Sequence, residues 1–266
     1  MDTALPTPPT VASLDFIKAL AHDLRWRAVC ALARSDYHVQ ELVQMLDNPY
    51  NLVSYHLRRL RDLRLVREHR STSDARDIYY SLDVTRFRDL YQATGDAVHP
   101  SISDENHPAK TDTSRDTSNA PAHPARVLFL CTHNSARSQM AEGIMRHVAG
   151  NRVEVASAGT EVTHVRPEAI ATMEAMGIDI SSQHSKHLKE FIGQHWDYVV
   201  TVCDRAKESC PIFPGDPERI HWSFDDPSAV EPQDARNAAY RQTSIELTHR
   251  IRILLSLIER DAKKRQ

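Results

Sequence analysis

The chain has few cysteines and no long apolar run, and both shortages limit what it can be. Only four of its 266 residues are cysteine, too few for a disulfide framework. No apolar stretch approaches the roughly 18 residues that a membrane-spanning helix needs. The first residues, Met1-Asp2-Thr3, lack the basic and then apolar pattern of a signal peptide. The sequence therefore predicts a cytoplasmic protein with no membrane segment.

Charge and length set looser limits. The formal net charge is −3, which argues neither for nor against nucleic acid, so charge has to be examined region by region. A hydrophobic content of 41% can supply real cores, and the length allows two domains.

A polar segment divides the chain. Residues 95–125 contain four prolines among Ser, Thr, Asp and Asn, and their only large apolar side chains are Val98 and Ile102. Such a segment buries too little apolar surface to fold. We therefore predict domains at 1–94 and 126–266, joined by a flexible linker that transmits little strain.

Helical periodicity dominates residues 1–94. Apolar stripes over 14–21, 26–32 and 39–46 predict three short helices, the second with Cys30 on its buried face. A longer helix from Tyr50 to Arg64 buries Val53, Leu57 and Leu60. Strand-like runs at 65–69 and 78–82 flank a turn, and a short helix follows. This order predicts a winged helix-turn-helix, mostly α with a β-hairpin wing.

Basic side chains concentrate where this fold would meet DNA. Seven arginines but only three acidic residues lie between Arg58 and Arg76. This is a local footprint for phosphate contact in a chain that is acidic overall. The predicted DNA-binding residues are Asn51, Ser54, Tyr55, Arg58, Arg59, Arg61, Arg70 and Arg76.

Two segments of this region, 19–29 and 51–60, resemble the opening and the recognition helix of ArsR-type (arsenical-resistance) repressors. The resemblance covers residues 11–94 and implies a homodimer, formed through the N-terminal domain, that binds a two-fold symmetric double-stranded DNA operator. Many members carry a cysteine pair on the helix before the recognition helix, whereas 38–47 has none here. The N-terminal domain is thus expected to lack the usual arsenite or metal site.

Beyond residue 126, strands alternate with helices. Strand-like runs at 127–130, 153–156, 197–202 and 219–222, with helical stretches at 166–176 and 234–262, predict a three-layer α/β domain with a four-stranded parallel sheet. Cys131 ends the first strand and opens a loop to Ser138 that can form an anion-binding nest before a helix. Arg137 can grip an oxyanion. In this setting we expect the pKa of Cys131 to fall from roughly 8.5 to roughly 3.5–7.5.

Two further cysteines follow the third strand. Cys203 lies at the same sheet edge as Cys131, and six residues separate it from Cys210. The three thiols could form a disulfide relay. The alternatives are two unrelated thiols or a zinc pair, although zinc usually requires closer spacing and a second ligand pair.

These motifs resemble the thioredoxin-linked arsenate reductases, which share the low-molecular-weight tyrosine phosphatase fold. The match covers 126–262 and also includes 157–159, 177–181 and 221–227. The resemblance implies a Cys131 nucleophile, a relay through Cys203 and Cys210, Asp226 as general acid, external thioredoxin as reductant, and no bound cofactor or metal. It assigns Ser138 to a hydrogen bond with the nucleophile and Asn134 to the loop's shape. The implied arsenate-binding residues are Thr132, His133, Asn134, Ser135, Ala136 and Arg137.

One departure concerns potassium. Some members bind this ion through residues matching Asn134, Glu142, Ser157 and an aspartate, and Lys186 stands at the aspartate position. Because its ammonium could replace the ion, we expect no potassium requirement.

The predicted function is reduction of arsenate to arsenite by a domain fused to a DNA-binding transcriptional regulator. Two alternatives stay open: a regulator whose C-terminal domain is a sensor, and a protein-tyrosine phosphatase tethered to DNA. The intact set Cys131, Arg137, Cys203, Cys210 and Asp226 favours the enzyme, since a sensor would be free to lose it.

Overall fold

The computed structural model describes residues 11–74, 76–99 and 124–265. These residues form two hydrophobic cores, one on each side of the predicted linker. The two-domain architecture is therefore confirmed. No described helix is both long and apolar enough to cross a bilayer.

The N-terminal domain has the expected order of a winged helix-turn-helix. The helix α3 (Val39–Leu46) is capped by Asp47, whose φ of 51° is left-handed, and Pro49 then precedes α4 (Tyr50–Asp62). α4 buries Val53 and Leu57, as its stripe predicts. The elements are α1 (Val11–Leu20), α2 (Asp23–Leu32), β1 (Tyr37–His38), α3 (Val39–Leu46), α4 (Tyr50–Asp62), β2 (Val66–Arg70), β3 (Ile78–Leu82) and α5 (Val84–Val98).

One expectation about the first helices is wrong, and α1 packs through a different side chain from those that mark its stripe most strongly. Cys30 is exposed, because α2 directs Leu24, Ala28 and Val29 into the core and leaves Cys30 on its outer face. In α1 the core side chain is Phe16, whereas Leu14 and Ile17 are about half exposed, at 46% and 49%. α1 therefore contacts the core of its domain through Phe16, Ala19 and Leu20 and leaves Leu14 and Ile17 on its outer face.

The C-terminal domain is a parallel sheet between helices. Its four strands run in the order β5-β4-β6-β7, all parallel, which confirms the predicted sheet. The elements are β4 (Ala125–Cys131), α6 (Arg137–Ala149), β5 (Val153–Gly159), α7 (Pro167–Ala175), β6 (Tyr198–Thr201), α8 (Asp204–Glu208), β7 (Glu218–His221) and α9 (Gln233–Arg265).

Central placement of β4 decides where the site lies. Val127 to Leu130 of this strand are all buried, and β4 has β5 on one side and β6 on the other. Cys131 is paired with Gly159 at the carboxyl end of the sheet. Ligands bind at this edge in open α/β sheets, so the fold places Cys131 where a nucleophile can be used.

The predicted linker overlaps regular structure at both ends. α5 extends to Val98, and β4 begins at Ala125. The expected flexible tether between them, 100–123, lies outside the described residues.

The two domains also pack directly against each other. Asp36, fully buried after α2, accepts a hydrogen bond of 2.9 Å from Arg250 of α9, whose side chain is 4% exposed. Ser35 Oγ accepts from His221 N at 2.9 Å, and Trp222 Nε1 donates to the Arg34 carbonyl at 3.0 Å. The domains are thus joined by a buried polar interface at β7 as well as by the chain itself.

Candidate active site and DNA-binding surface

The loop between β4 and α6 holds the candidate nucleophile. Asn134 adopts a left-handed backbone with φ of 48°, which turns the loop back over the end of β4. Gly159 of β5 lies against this turn: a Cβ there would come within 2.7 Å of both Asn134 N and Thr132 O. The loop therefore depends on a residue without a side chain in the neighbouring strand.

Cys131 is buried, and two hydrogen-bond donors contact its sulfur. Ser138 Oγ lies 2.8 Å from Sγ, and the Asn134 N–H donates to Sγ at 3.1 Å. Ser138 Oγ also accepts from Asn134 Nδ2 at 2.9 Å, which leaves its own hydrogen free to point at the sulfur. These two hydrogen bonds stabilise the thiolate and oppose the effect of burial.

Asn134 is fixed by groups from several parts of the domain. Its Oδ1 accepts from Lys186 N at 2.8 Å and from Gln139 Nε2 at 2.9 Å, so its amide nitrogen must face the two serines. That nitrogen donates to Ser157 Oγ at 2.8 Å as well as to Ser138. The side chain that shapes the loop is therefore also the one that orients the Ser138 hydroxyl.

A buried carboxylate lies behind this network. Glu142 is 3% exposed, and its Oε2 accepts from Ser157 Oγ at 2.6 Å and from Lys186 Nζ at 3.1 Å. A buried carboxylate requires a cationic partner, and the Lys186 ammonium supplies one directly. The structure thus brings together the four residues that the sequence places at potassium-site positions: Asn134, Glu142, Ser157 and Lys186.

Electrostatics at Cys131 differ from the expectation. Burial raises the pKa of Cys131, and the neighbouring Cys203 raises it further. Arg137, Ser138 and the Asn134 N–H lower it but offset these effects only in part. The expected lowered pKa is therefore wrong, because the end of β4 is shielded from water more completely than a sequence can indicate.

Arg137 connects the loop to the candidate general acid. The Arg137 side chain is 9% exposed, its Nη1 donates to Phe224 O at 2.7 Å, and its Nη2 lies 3.5 Å from Asp226 Oδ2. The Asp226 side chain is 41% exposed, and its Oδ1 accepts from Ser228 N at 3.0 Å. Asp226 is therefore held at the rim of the site, within reach of the same oxyanion that Arg137 would bind.

The remaining loop residues line the nest to different extents. Thr132, Ser135 and Ala136 are buried, whereas His133 is partly exposed and pairs with Glu161 at 3.2 Å. The predicted substrate-binding residues Thr132 to Ala136 thus form the loop, and Arg137 is the first residue of α6.

The other two cysteines flank α8. Cys203 is buried at the end of β6, and its Sγ lies 3.5 Å from Thr132 Oγ1, beside the loop. Cys210 is only partly buried and follows the helix; burial raises the pKa of its thiol, and Arg219 opposes this. The structure therefore brings Cys203 to Cys131 and places Cys210 nearer the surface. No metal-ligand cluster of three or more His, Cys, Asp or Glu residues occurs in the described parts of the chain.

The predicted DNA-contact residues are distributed along α4 and the wing. Asn51, Tyr55, Arg58 and Arg59 are exposed on α4, and Ser54 is partly buried. The other three predicted DNA-contact residues are exposed as well, one on α4 next to the wing and two in the wing itself. Arg61 pairs with Glu68, Arg70 ends β2, and Arg76 binds Asp74 at 2.6 Å.

A buried polar cluster beside α8 was not predicted from the sequence. Asp204 is 2% exposed and accepts from Ser223 Oγ and from His221 Nε2, the latter at 3.2 Å. Although burial opposes its ionisation, hydrogen bonds from His221, His69, Ser223 and Thr72 hold the pKa of Asp204 far below its usual value. A charged residue directly after a strand-end cysteine was the only signal available.

Fold and site together define a class: a cysteine-nucleophile domain with an oxyanion loop, joined to a winged helix-turn-helix. Residues 126–264 match the low molecular weight phosphotyrosine protein phosphatase model, and residues 22–68 match the bacterial regulatory protein, arsR family. The chain belongs to the low molecular weight phosphotyrosine protein phosphatase family, and its C-terminal part is an arsenate reductase domain that follows an ArsR-type DNA-binding domain.

The relatives match the C-terminal domain. An arsenate reductase of Halalkalibacterium halodurans is 43% identical over 127 residues, 47% of this chain and 91% of that protein. The arsenate reductase of Bacillus subtilis is 41% identical over 116 residues, 44% of this chain and 84% of that protein. A solved arsenate reductase in its oxidized state has 31% identity and a TM-score of 0.45, covering 50% of this chain and 98% of that one.

Proposed function

We propose that the protein reduces arsenate to arsenite through Cys131, Cys203 and Cys210, is regenerated by thioredoxin, and binds operator DNA as a transcriptional regulator. One observation carries the enzymatic part: the buried Cys203 Sγ lies 3.5 Å from Thr132 Oγ1, next to the nucleophile's own loop. A second thiol at that position can attack an arsenic adduct on the first.

The proposed chemistry assigns one step to each of these groups. The Cys131 thiolate attacks arsenic in the loop, and Asp226 protonates the departing oxygen, which leaves as water. The Cys203 thiolate then attacks Cys131 Sγ. The S–As bond breaks with its electron pair moving to arsenic, so As(V) becomes As(III) and a Cys131–Cys203 disulfide remains. Cys210 attacks Cys203, releases the Cys131 thiolate, and leaves a Cys203–Cys210 disulfide for the dithiol of thioredoxin.

The first test is arsenate-dependent NADPH oxidation with thioredoxin and thioredoxin reductase. We expect steady turnover in the wild type and at most one round in Cys210→Ser, because the first disulfide cannot be passed on. Cys30→Ser is the matched control and should keep full turnover, since Cys30 is exposed on α2, in the other domain. No turnover in the wild type would favour the sensor, and rapid hydrolysis of an aryl phosphate instead would favour the phosphatase.

Potassium should not be required. The Lys186 ammonium already neutralises Glu142, at 3.1 Å, and Lys186 N holds Asn134 Oδ1. Exchange of sodium for potassium at fixed ionic strength should leave kcat/KM unchanged. A rise in kcat/KM with potassium would contradict this.

DNA binding through α4 is supported by its exposed basic face. Replacing Arg58 by Ala should weaken binding to the promoter fragment upstream of the coding region and reduce the salt dependence by about one counterion. Arg252→Ala, an exposed arginine of α9 in the other domain, is the control and should change neither. Equal loss in both variants would contradict a specific role for α4.

A homodimer through the N-terminal domain is supported by an apolar surface on two packed helices. Leu14 and Ile17 of α1 are about half exposed, and Tyr91 of α5 is 67% exposed. Because α1 packs against α5, these exposed apolar side chains lie on neighbouring helices, and exposed apolar patches are typical of an interface. Sedimentation should therefore give a dimer for the wild type and a monomer for Ile17→Glu; a wild-type monomer at micromolar concentration would contradict the dimer.

A further inference from the structure

The short helix between the two relay cysteines is bound by the winged-helix domain. Asp204 of α8 accepts from both the backbone N–H and the hydroxyl of Thr72, at 2.9 and 3.2 Å. Thr72 lies at the tip of the wing, between β2 and β3. The residue directly after Cys203 is therefore hydrogen-bonded to the turn of the β-hairpin wing.

Two more side chains of α8 make the same connection. Lys207 Nζ pairs with Glu41 of α3 at 2.9 Å and lies 4.6 Å from the centre of the Tyr79 ring in β3. Glu208 accepts hydrogen bonds from Ser71 and Ser73, on either side of Thr72. Three of the five residues of α8 thus bind the other domain, two of them at the wing tip.

A disulfide between Cys203 and Cys210 is incompatible with this helix. Lys207 N bonds Cys203 O at 3.2 Å, and Cys210 N bonds Lys207 O at 3.3 Å, so hydrogen-bonded turns connect the two cysteines across the helix, with Cys203 itself extended at its N-terminal end. Seven residues at about 1.5 Å each separate the two Cα atoms by roughly 10 Å. Disulfides need Cα atoms about 4.4–6.8 Å apart, so the backbone of α8 must rearrange before the bond can form.

We propose that α8 is a redox-sensitive latch on the wing. In the dithiol form Asp204, Lys207 and Glu208 hold the wing tip and α3 against the reductase domain. Formation of the Cys203–Cys210 disulfide, with loss of two protons and two electrons to arsenate or another thiol oxidant, unwinds α8 and withdraws these side chains. The wing tip then faces solvent. The inference rests on the proposed relay for its natural oxidant, whereas the geometry of the latch does not depend on arsenate.

Hydrogen exchange of the full-length chain tests the latch without arsenate chemistry. The protein carries Cys30→Ser and Cys131→Ser, and diamide oxidises the remaining Cys203 and Cys210, with the loss of two hydrogens checked by mass. Amides of 71–73 should exchange at least about tenfold faster after oxidation, because the Thr72 N–H loses its buried acceptor. The matched control adds Cys210→Ser and should show no change.

The outcomes are distinct for the two proposals. Unchanged exchange at the wing tip after disulfide formation, or failure of diamide to form the disulfide, would overturn the latch. Faster exchange in the diamide experiment, combined with no arsenate turnover in the wild type, would leave the latch standing and refute the proposed function.

Linkage provides a second readout from the wing side. If contact between the wing and α8 stabilises the dithiol form, a variant that weakens this contact must favour the disulfide form by the same free energy. Glu41→Gln keeps the hydrogen bond to the His38 N–H but loses the charge that holds Lys207. The redox midpoint in dithiothreitol buffers should shift toward the disulfide by about threefold, as expected for one partly exposed ion pair. Glu68→Gln, whose partner is Arg61, is the control, and equal midpoints in Glu41→Gln and wild type would overturn the coupling.

Discussion

The Ser138 hydroxyl should determine how far Cys131 is ionised at neutral pH. Burial raises the pKa of this thiol, and Ser138 is one of three groups that oppose the increase. Its Oγ lies 2.8 Å from Sγ, and because it accepts from Asn134 Nδ2 it can donate to a thiolate. Ser138→Ala removes that donor while Asn134 keeps its other bond, to Ser157.

The size of the effect follows from the strength of the lost bond. A hydrogen bond to a charged group contributes about 1.5–3 kcal/mol. Since about 1.36 kcal/mol corresponds to a factor of ten, a loss of this size should raise the pKa of Cys131 further in Ser138→Ala. At pH 7 the thiolate fraction, and the rate of any reaction that needs it, should fall roughly 10- to 100-fold.

Alkylation by iodoacetamide measures this directly, since only the thiolate reacts. Cys131 should be the single thiol, with Cys30, Cys203 and Cys210 replaced by Ser in both proteins. Rates followed from pH 6 to 11 should give a midpoint that moves to higher pH in Ser138→Ala, with the same plateau. Ser185→Ala removes a loop contact of 2.7 Å to Asn134 O without touching sulfur and should leave the midpoint in place. Coincident midpoints for Ser138→Ala and its parent would refute the reasoning.

Three further perturbations have defined outcomes. Arg250→Met leaves Asp36 buried without its partner and should lower the free energy of unfolding by about 3–5 kcal/mol in urea titrations; no loss of stability would contradict the interface. Gly159→Ala places a Cβ within 2.7 Å of Asn134 N and should abolish arsenate turnover while far-ultraviolet circular dichroism stays unchanged; retained turnover would show that the loop can yield. Folding lowers the pKa of Asp204 below its unfolded value of about 3.9. Its contribution to the free energy of unfolding is therefore fully present above that pH and is lost as pH falls toward the folded-state pKa. In Asp204→Asn the free energy of unfolding should therefore fall less steeply than in the wild type as the solution is made more acidic. An unchanged pH dependence would refute that assignment.

Local patterns were sufficient to predict much of the fold. The apolar stripe of α4 at Val53 and Leu57, and the short buried run of β4, each set the type of their own element. The ends of parallel strands meet at one sheet edge, so the placement of Cys131 and Cys203 followed from the order of elements alone. These features depend on contacts within a few residues or on chain topology, which periodicity and spacing report.

Two kinds of property could not be predicted in this way. The pKa of Cys131 is a balance between burial and three donors, and its direction depends on solvent exclusion by the whole domain. In α1 the pattern identified an apolar face but not its destination, and Phe16 rather than Ile17 enters the core. Both failures concern what surrounds a residue in space, on which a single sequence carries little information.

The largest discrepancy is the contact between the domains, and it changes how a coupling would have to work. A flexible linker transmits little strain, so a tether alone would leave the catalytic and DNA-binding parts independent. The structure instead has a buried ion pair between Asp36 and Arg250 of α9, and polar contacts from α8 to the wing and to α3. The ion pair lies outside the segment that must rearrange, whereas Asp204 lies inside it. Opening of α8 could therefore free the wing tip while the domains stay joined, which confines any redox response to the part of the winged helix nearest the relay.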